Sequence, residues 1–334
     1  IFGATRSMSG NVYAAIDLGT NNCRLLVALV KNDTFRVIDS FSRIVRLGEG
    51  LSRSDQFNEE AVERTIEALH VCAEKMQFRG VGKSRSIATE ACRRAADCDA
   101  FYKRALGETG IELETISPEQ EAQLTLDGCA QLLDRDTPRA IVFDIGGGST
   151  ELMWVERSNT GEAVVLAMLS LPIGVVTLVE QHGSGIIERH VYEEIIARVE
   201  AEIQPFDRQH GISDYLASHA TQLLGTSGTV TTLGGLYLNL PRYNRAQVDG
   251  LNMRVETISA ISERLAGMNH DERAQNGCIG PERADLVVMG CAILDAICRH
   301  WPAPTIRAAD RGIREGLLMG LIKDNGDTFS GAIT

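Results

Sequence analysis

The sequence predicts a protein of two duplicated α/β domains that face each other across a central cleft. The segment around Asp17 returns around Asp144, at a spacing of 127 residues (144 − 17). The length of 334 residues suits two domains of roughly 150 residues each. Strand-like runs alternate with helical patterns in both halves, which is typical of sheets covered by helices. We expect a first domain at residues 12–133 and a second at residues 137–304.

The first half opens with three strand-like runs joined by polar turns, at residues 12–19, 23–30 and 34–47. Asn58 can cap a helix in which apolar residues recur at steps of three and four through Met76. The remaining elements are a short strand at 86–89, a helix through Phe101 and Leu106, a strand at 111–116 and a helix at 118–133. This order predicts a sheet with parallel members.

The second half repeats that opening, with strand-like runs at residues 139–144, 151–156 and 164–170. Helical patterns then dominate residues 186–206. A strand at 222–225 leads into a loop of small residues, 226–229, at the N-terminus of another helix. The last predicted strand and helix lie at residues 305–309 and 313–323.

The composition is that of an ordinary globular protein, with 44% hydrophobic and 23% charged residues. The net charge of −12 argues against a nucleic-acid partner, so a polyanionic ligand would need local arginines, backbone amides or a metal ion. The eight cysteines include no Cys-x-x-Cys pair and no zinc-site spacing, which indicates reduced thiols and a cytoplasmic protein.

No segment reads as a membrane span. The longest apolar stretch, residues 163–179, is interrupted by Ser170, Pro172 and Gly174, so we expect neither a transmembrane helix nor a membrane partner. The first ten residues lack the basic start and apolar core of a signal peptide, and we expect a flexible leader there.

Both copies of the repeat end a strand in Asp and continue into a tight loop of small residues. Such a loop lets backbone N–H groups approach a phosphate closely. The first loop, residues 19–22, is also explained by an ordinary β-turn when it is taken alone. The second loop, residues 146–150, begins with three glycines, whose entropic cost favours a close ligand contact. Two such loops facing each other predict the binding of a chain of phosphates.

Three carboxylates flank these loops. Asp17 and Asp144 end the two strands, and Glu151 follows the second loop. A carboxylate beside a phosphate is repulsive unless a cation lies between them, which indicates Mg²⁺ held partly through water. For Glu151, a solvated strand residue is the alternative.

The chain resembles the exopolyphosphatase and guanosine pentaphosphate phosphohydrolase family, which belongs to the superfamily of actin, sugar kinases and heat-shock ATPases. The matching segments run in family order through nearly the whole chain, at residues 15–21, 46–51, 89–95, 116–122, 143–152, 228–229 and 310–317. The resemblance implies two duplicated actin-like (ribonuclease H-like) domains flanking the cleft, with the final helix returning to the first. It also implies Mg²⁺-assisted hydrolysis of the terminal phosphate of inorganic polyphosphate or guanosine pentaphosphate. Family members often form homodimers, so a homodimer is an expected assembly.

The resemblance implies a role for each matching residue. Glu121, in the Ser-x-x-x-Glu-Ala motif, falls on the general base, and Arg93 falls on a phosphate-contacting arginine. Asp144 and Glu151 fall on the carboxylates associated with magnesium. The implied phosphate-binding positions are Asp17, Gly19, Thr20, Asn21, Asn22, Gly146, Gly147, Gly148, Ser149, Thr150, Gly228 and Thr229. Without the resemblance, Glu121 and Arg93 would be interpreted as ordinary helix charges.

Three positions depart from the family pattern. Asn22 and Cys23 stand where the family usually has Ser and an aromatic residue, and Thr177 stands where many members have Arg. These departures keep open a sensor that binds polyphosphate or nucleotide without turnover. A kinase of the same superfamily, passing phosphate from ATP to a small acceptor, is a further alternative. The Ser-x-x-x-Glu-Ala and Arg-Glu-Gly-Leu motifs disfavour the kinase.

Overall fold

Two mixed sheets flanked by helices make up the part of the chain that the computed structural model describes, residues 11–31, 34–158 and 162–326. The expectation for the first ten residues falls outside this part. The strands are β1 (Asn11–Leu18), β2 (Asn22–Lys31), β3 (Thr34–Ile44), β4 (Lys83–Ala88), β5 (Glu114–Thr115), β6 (Arg139–Ile145), β7 (Thr150–Arg157), β8 (Ala163–Leu171), β9 (Gln222–Thr226), β10 (Asn252–Arg254) and β11 (Thr305–Ala308).

Helices cover both sheets, and a 3₁₀ turn at Ala130–Leu132 extends one of them. The helices are α1 (Leu51–Ser54), α2 (Glu59–Phe78), α3 (Glu90–Arg94), α4 (Cys98–Thr109), α5 (Pro118–Cys129), α6 (Val175–His182), α7 (Arg189–His210), α8 (Ile212–Leu216), α9 (Ser227–Tyr237), α10 (Arg245–Val248), α11 (Val255–Ala266), α12 (His270–Ala274), α13 (Val287–His300) and α14 (Ile313–Asp324).

The two sheets repeat one topology. The strand order is β3-β2-β1-β4-β5 in the first sheet and β8-β7-β6-β9-β11 in the second, where β10 adds an edge beside β11. In each sheet the first three strands form an antiparallel meander. The next two core strands run parallel to the central one. The predicted duplication of an α/β fold is therefore confirmed.

The duplication includes an irregularity in the meander of each sheet. The register of β2 against β3 shifts between Val27 and Ala28, and that of β7 against β8 shifts between Trp154 and Val155. These two points are again 127 residues apart (154 − 27). A β-bulge bends the strand and increases its local twist. Both sheets are therefore irregular at the equivalent place.

Local capping sets where two of the helices begin. Asn58 Oδ1 accepts a hydrogen bond from Glu60 N and starts α2 at the predicted position. α5 begins with Pro118 behind a capping box, in which Ser117 Oγ accepts from Gln120 N while Gln120 Oε1 accepts from Ser117 N. This cap fixes Glu121 in the first turn of α5.

Two parts of the first domain differ from the sequence prediction. The strand expected at residues 111–116 is shorter, because only Glu114–Thr115 pairs with β4. Ile111 and Leu113 instead pack as extended chain into the core beside α2 and α4. The short helix α3 is not predicted, since it lies between a strand and a longer helix without a repeating apolar pattern of its own.

The apolar stretch at residues 163–179 divides between β8 and the start of α6. Among the described residues, no helix is both long and apolar enough to cross a membrane. All eight cysteines are buried, and none forms a disulfide bond, in agreement with the expectation of reduced thiols.

The last helix packs against the first sheet. Leu317, Leu318 and Ile322 of α14 share a core cluster with Tyr13 and Ala15 of β1. α14 also crosses α5, whose residues Ala122 and Leu126 pack on the second sheet.

Two glycines permit the close crossing of α5 and α14. A Cβ at Gly316 would lie 2.0 Å from Leu124 O, and a Cβ at Gly128 would lie 2.0 Å from Gly312 O. Since both contacts involve backbone atoms, any side chain there would force the helices apart. The glycine of the Arg-Glu-Gly-Leu motif, Gly316, therefore has a packing role between α14 on the first sheet and α5 on the second.

Candidate active site

Both loops of the repeat border one cavity of about 110 Å³ between the two sheets. Small residues at the start of α9 complete its wall. The predicted site residues on the wall are Asp17, Gly19, Thr20, Asn21, Asn22, Glu121, Asp144, Gly146, Gly147, Gly148, Ser149, Glu151, Gly228 and Thr229. The wall also contains Ser227 of the predicted small-residue loop and three residues without a predicted role, Arg24, Glu90 and Arg283.

The glycines of the second loop let it pack directly against the first loop. A Cβ at Gly147 would lie 3.1 Å from Thr20 Cβ, and a Cβ at Gly148 would lie 2.7 Å from Thr20 Oγ1. At the start of α6, a Cβ on Gly174 would lie 2.4 Å from Gly147 O. The glycines therefore serve contact between loops as well as approach of a ligand, a reason that the sequence alone did not reveal.

Asp144 and Glu151 stand opposite each other on β6 and β7, so the two carboxylates are cross-strand neighbours. Glu151 is 1% exposed, and its Oε1 accepts hydrogen bonds from Ser149 Oγ at 2.7 Å and Ser170 Oγ at 3.0 Å. Burial, with the Glu151 charge, raises the pKa of Asp144 to about 7. Burial also raises the pKa of Glu151, against the effect of the two hydroxyls. Both carboxylates would gain from a nearby cation.

Asp17 has the equivalent place in the first sheet, but it stands opposite Arg24 on β2. Burial raises the pKa of Asp17, while Arg24 and Arg314 oppose that shift. Arg24 lines the cavity, and its position could have been found from the repeat, because it is 127 residues before Glu151 (151 − 24).

Glu121 faces the cavity from the first turn of α5 and is 7% exposed. Arg93 Nη1 donates to Glu121 Oε2 at 2.8 Å and to Ile116 O at 2.9 Å, and Arg93 Nε donates to Glu90 Oε2 at 3.1 Å. Burial and the Glu151 charge raise the pKa of Glu121, and Arg93 opposes the shift. Arg93 lies behind Glu121 and orients its carboxylate, and it is not part of the cavity wall.

Two polar atoms on residues of the cavity wall are buried without a hydrogen-bond partner in the part of the chain that the structure describes. They are Asn21 Oδ1 and Ser227 Oγ. Ser227 has a φ of 96°, a backbone conformation that residues with side chains seldom adopt. Buried polar atoms normally have a partner, so these two indicate a polar ligand, ion or water in the cavity.

A wider recess of about 290 Å³ continues from the cavity past Gly228. The arginines on its wall are Arg24, Arg245, Arg283, Arg311 and Arg314. Glu315 accepts a hydrogen bond from Arg245 at 2.7 Å, and Asp249 accepts one from Arg311 Nε at 2.8 Å. The cavity and recess together can accommodate an elongated anion.

The remaining predicted residues lie away from the cavity. Thr150 is fully buried, and its Oγ1 donates to Ile173 O at 2.7 Å. Of the three departures from the family pattern, only Asn22 reaches the cavity wall. Cys23 is buried in the core of the first domain, and Thr177 Oγ1 accepts from Gly174 N at 2.9 Å at the start of α6.

The donors at Asp144 and Glu151 fit a hard divalent cation. No three or more His, Cys, Asp or Glu residues are arranged around one metal position in the described ranges. Mg²⁺ is, however, commonly held by one or two carboxylates, with water and substrate phosphates filling its other places. The two neighbouring carboxylates repel each other, and the unpartnered oxygen of Asn21 lies in the same wall, which agrees with that kind of site.

Comparisons with known proteins lead to one family. A sequence model of the Ppx/GppA phosphatase family matches residues 26–325. Exopolyphosphatase 2 of Mycobacterium tuberculosis is 31% identical over 300 residues, which cover 86% of this chain and 90% of that protein. The crystal structure of the Aquifex aeolicus Ppx/GppA family member is 25% identical, with a TM-score of 0.77, and covers 96% of this chain and 100% of that one.

A further crystal structure supports the fold alone. An exopolyphosphatase from Cytophaga hutchinsonii is 22% identical, has a TM-score of 0.84, and covers 96% of this chain and 100% of its own. The duplicated sheets, the cavity between their loops and the match over nearly the whole length agree with one another. The chain belongs to the Ppx/GppA phosphatase family.

Proposed function

We propose that this protein is an exopolyphosphatase, which releases terminal orthophosphate from inorganic polyphosphate by hydrolysis. The observation that carries the proposal is the position of Glu121, a buried carboxylate that faces the same cavity as both loops of the repeat. Family membership and the 31% identity to exopolyphosphatase 2 support the choice of substrate.

In this proposal Glu121 orients a water molecule and accepts its proton during in-line attack on the terminal phosphorus. The N-terminus of α5 favours the ionised carboxylate, and Arg93 fixes its Oε2 at 2.8 Å. Backbone N–H groups of the two loops and the guanidinium group of Arg24 bind the oxygens of the transferring phosphoryl group. The protein thereby stabilises the charge that develops there.

Asp144 and Glu151 are the residues that would hold Mg²⁺. When it is bound, the ion supplies positive charge to the phosphate oxygens. Ser227 Oγ can donate to a phosphate oxygen, and Asn21 Oδ1 can accept from water, so each would gain the partner it lacks. We also place the protein in the cytoplasm, where its eight free thiols would stay reduced.

Guanosine pentaphosphate is the second candidate substrate, because it presents the same terminal phosphate group. The arginine-lined recess favours a ligand that continues beyond the reacting phosphate. Ser227 and Gly228 border both the cavity and the recess, where a distal phosphate or a nucleoside would lie. Both substrates use the same residues around Glu121.

The test is phosphate release by wild type and by Glu121→Gln on long polyphosphate, short polyphosphate, guanosine pentaphosphate and ATP, with and without Mg²⁺. Loss of a general base lowers the rate by about 10²–10⁴-fold, and we expect this loss for kcat on polyphosphate. The matched control is Glu119→Gln, since Glu119 lies on the same turn of α5 but is exposed.

The proposed mechanism is wrong if Glu121→Gln releases phosphate at the wild-type rate. Binding of polyphosphate without release by wild type would instead favour a sensor. ATP consumption that depends on a small acceptor would favour a kinase.

A further inference from the structure

One segment of the first domain contacts both the first loop and the second domain. Residues 45–52, called here the coupling segment, run from the end of β3 into α1. Val45 N and Arg46 N donate to Asn21 O at 2.9 and 3.0 Å, and Gly48 N donates to Thr20 O at 2.9 Å. A Cβ at Gly48 would lie 2.2 Å from Thr20 Cγ2. The segment and the first loop are therefore packed as one unit.

The same segment reaches across to the second domain through two contacts. Glu180 of α6 accepts hydrogen bonds from Gly50 N at 2.7 Å and from Ser52 Oγ at 2.6 Å. Arg46 Nη2 donates to Asp285 Oδ2 at 2.8 Å. Residues 46–51 match the family pattern but have no role in the proposed chemistry. They lie where the two domains meet.

α6 is attached in turn to the second loop. Val175 N donates to Gly146 O at 3.0 Å, and Val176 N donates to Gly147 O at 2.8 Å. The contacts close a ring that runs from the first loop through the coupling segment, Glu180 and α6 to the second loop. Separation of the domains at this side must break both bonds of Glu180 and the ion pair of Arg46 with Asp285, or displace one of the loops.

We propose that Glu180 is a positioning residue that holds the cleft closed and keeps the first loop against the second. Its effect on turnover rests on the proposed function, whereas its effect on domain closure does not. In the free protein the bonds of Glu180 favour the closed cleft. Bound polyphosphate adds its own contacts to both loops, so Glu180 determines how readily substrate is captured rather than how fast it is hydrolysed.

The first test measures the steady-state kinetics of Glu180→Ala on polyphosphate. We expect KM to rise about tenfold and kcat to stay within about twofold, because two hydrogen bonds to a carboxylate no longer favour the closed state. Ser52→Ala removes one of the two bonds and should give a smaller rise. Glu180→Gln keeps an oxygen acceptor and should restore part of the wild-type KM.

The matched control is Glu49→Ala, in the same coupling segment. The Glu49 carboxylate accepts a hydrogen bond from Arg64 of the first domain at 2.7 Å, so its removal leaves the contacts with α6 in place. We expect its KM to equal that of wild type. An equal KM for Glu180→Ala and Glu49→Ala would contradict the proposal.

The second test does not depend on activity. Small-angle X-ray scattering of the ligand-free protein should give a larger radius of gyration for Glu180→Ala than for wild type and Glu49→Ala. If wild type released no phosphate from polyphosphate, the proposed function would fail while this measurement still tested the closure. A lower melting temperature and kcat with an unchanged radius would show a merely structural role and overturn the proposal.

Discussion

The two halves of the molecule share the same strand-loop-strand backbone, but the residue opposite the aspartate has opposite charge in the two halves. In the first sheet Asp17 stands opposite Arg24, and in the second Asp144 stands opposite Glu151. The first half therefore contains its own cation, whereas the second brings together the buried carboxylate of Glu151 and the partly buried carboxylate of Asp144. A change of charge at this single position is thus what would let one copy hold a cation in the proposed site, while the other copy carries an arginine there.

The largest expected effect comes from Glu151→Gln, which removes the second negative charge beside Asp144. We expect kcat on polyphosphate to fall about 10²–10³-fold, because the site would lose a carboxylate that holds Mg²⁺. The metal-free protein should become more stable by about 1 kcal/mol, since the amide ends the repulsion with Asp144. Phosphate release at varied Mg²⁺ and urea unfolding in a chelator measure the two effects.

The control for this substitution is Glu156→Gln on the same strand, because Glu156 is half-exposed and pairs with Arg139 at 3.2 Å. Its kcat should match that of wild type. Unchanged activity of Glu151→Gln at low Mg²⁺ would show that the second half needs no cation at this position.

Substitution of Arg24 in the first half should lower the stability, whereas Glu151→Gln in the second half should raise it. Arg24→Gln leaves the buried Asp17 without the cation opposite it, which costs about 1–3 kcal/mol in the free energy of unfolding. We expect KM for polyphosphate to rise about tenfold, because one charged phosphate contact is lost. Urea unfolding and phosphate-release kinetics of the same preparation test both. An increase in stability would contradict the assigned difference between the halves.

The last comparison concerns stability alone, at equivalent glycines in the two loops. A Cβ at Gly146 would lie 2.9 Å from Ser149 O, whereas a Cβ at Gly19 would lie 3.8 Å from Asn22 O. Gly146→Ala should therefore lower the free energy of unfolding by about 1–3 kcal/mol. Gly19→Ala should change it by less than about 0.5 kcal/mol. Equal changes in urea unfolding would show that the loops are equally tolerant of a side chain.

The repeat predicted both strand-loop-strand units well, because each unit is encoded by Asp and glycine residues that are close together in the sequence. The repeat aligns Arg24 with Glu151, but its place beside Asp17 follows from the cross-strand register of β1 and β2, which only the structure shows. The position of Arg93 behind Glu121 depends on α3, a helix too short to give a periodic signal. Gly316 belongs to a motif that the sequence shows, but the need for glycine there is explained only by the close contact with Leu124 O in the structure.

The packing of α14 affects the order in which the protein can fold during synthesis. The first sheet is translated first, yet one of its faces is covered by Leu317, Leu318 and Ile322 near the other end of the chain. The core of the second domain draws on residues from Ile141 to Ala308, all of which precede α14. On the ribosome the second domain can therefore complete its core before the first, whose uncovered face would be open to chaperones until α14 has been synthesised.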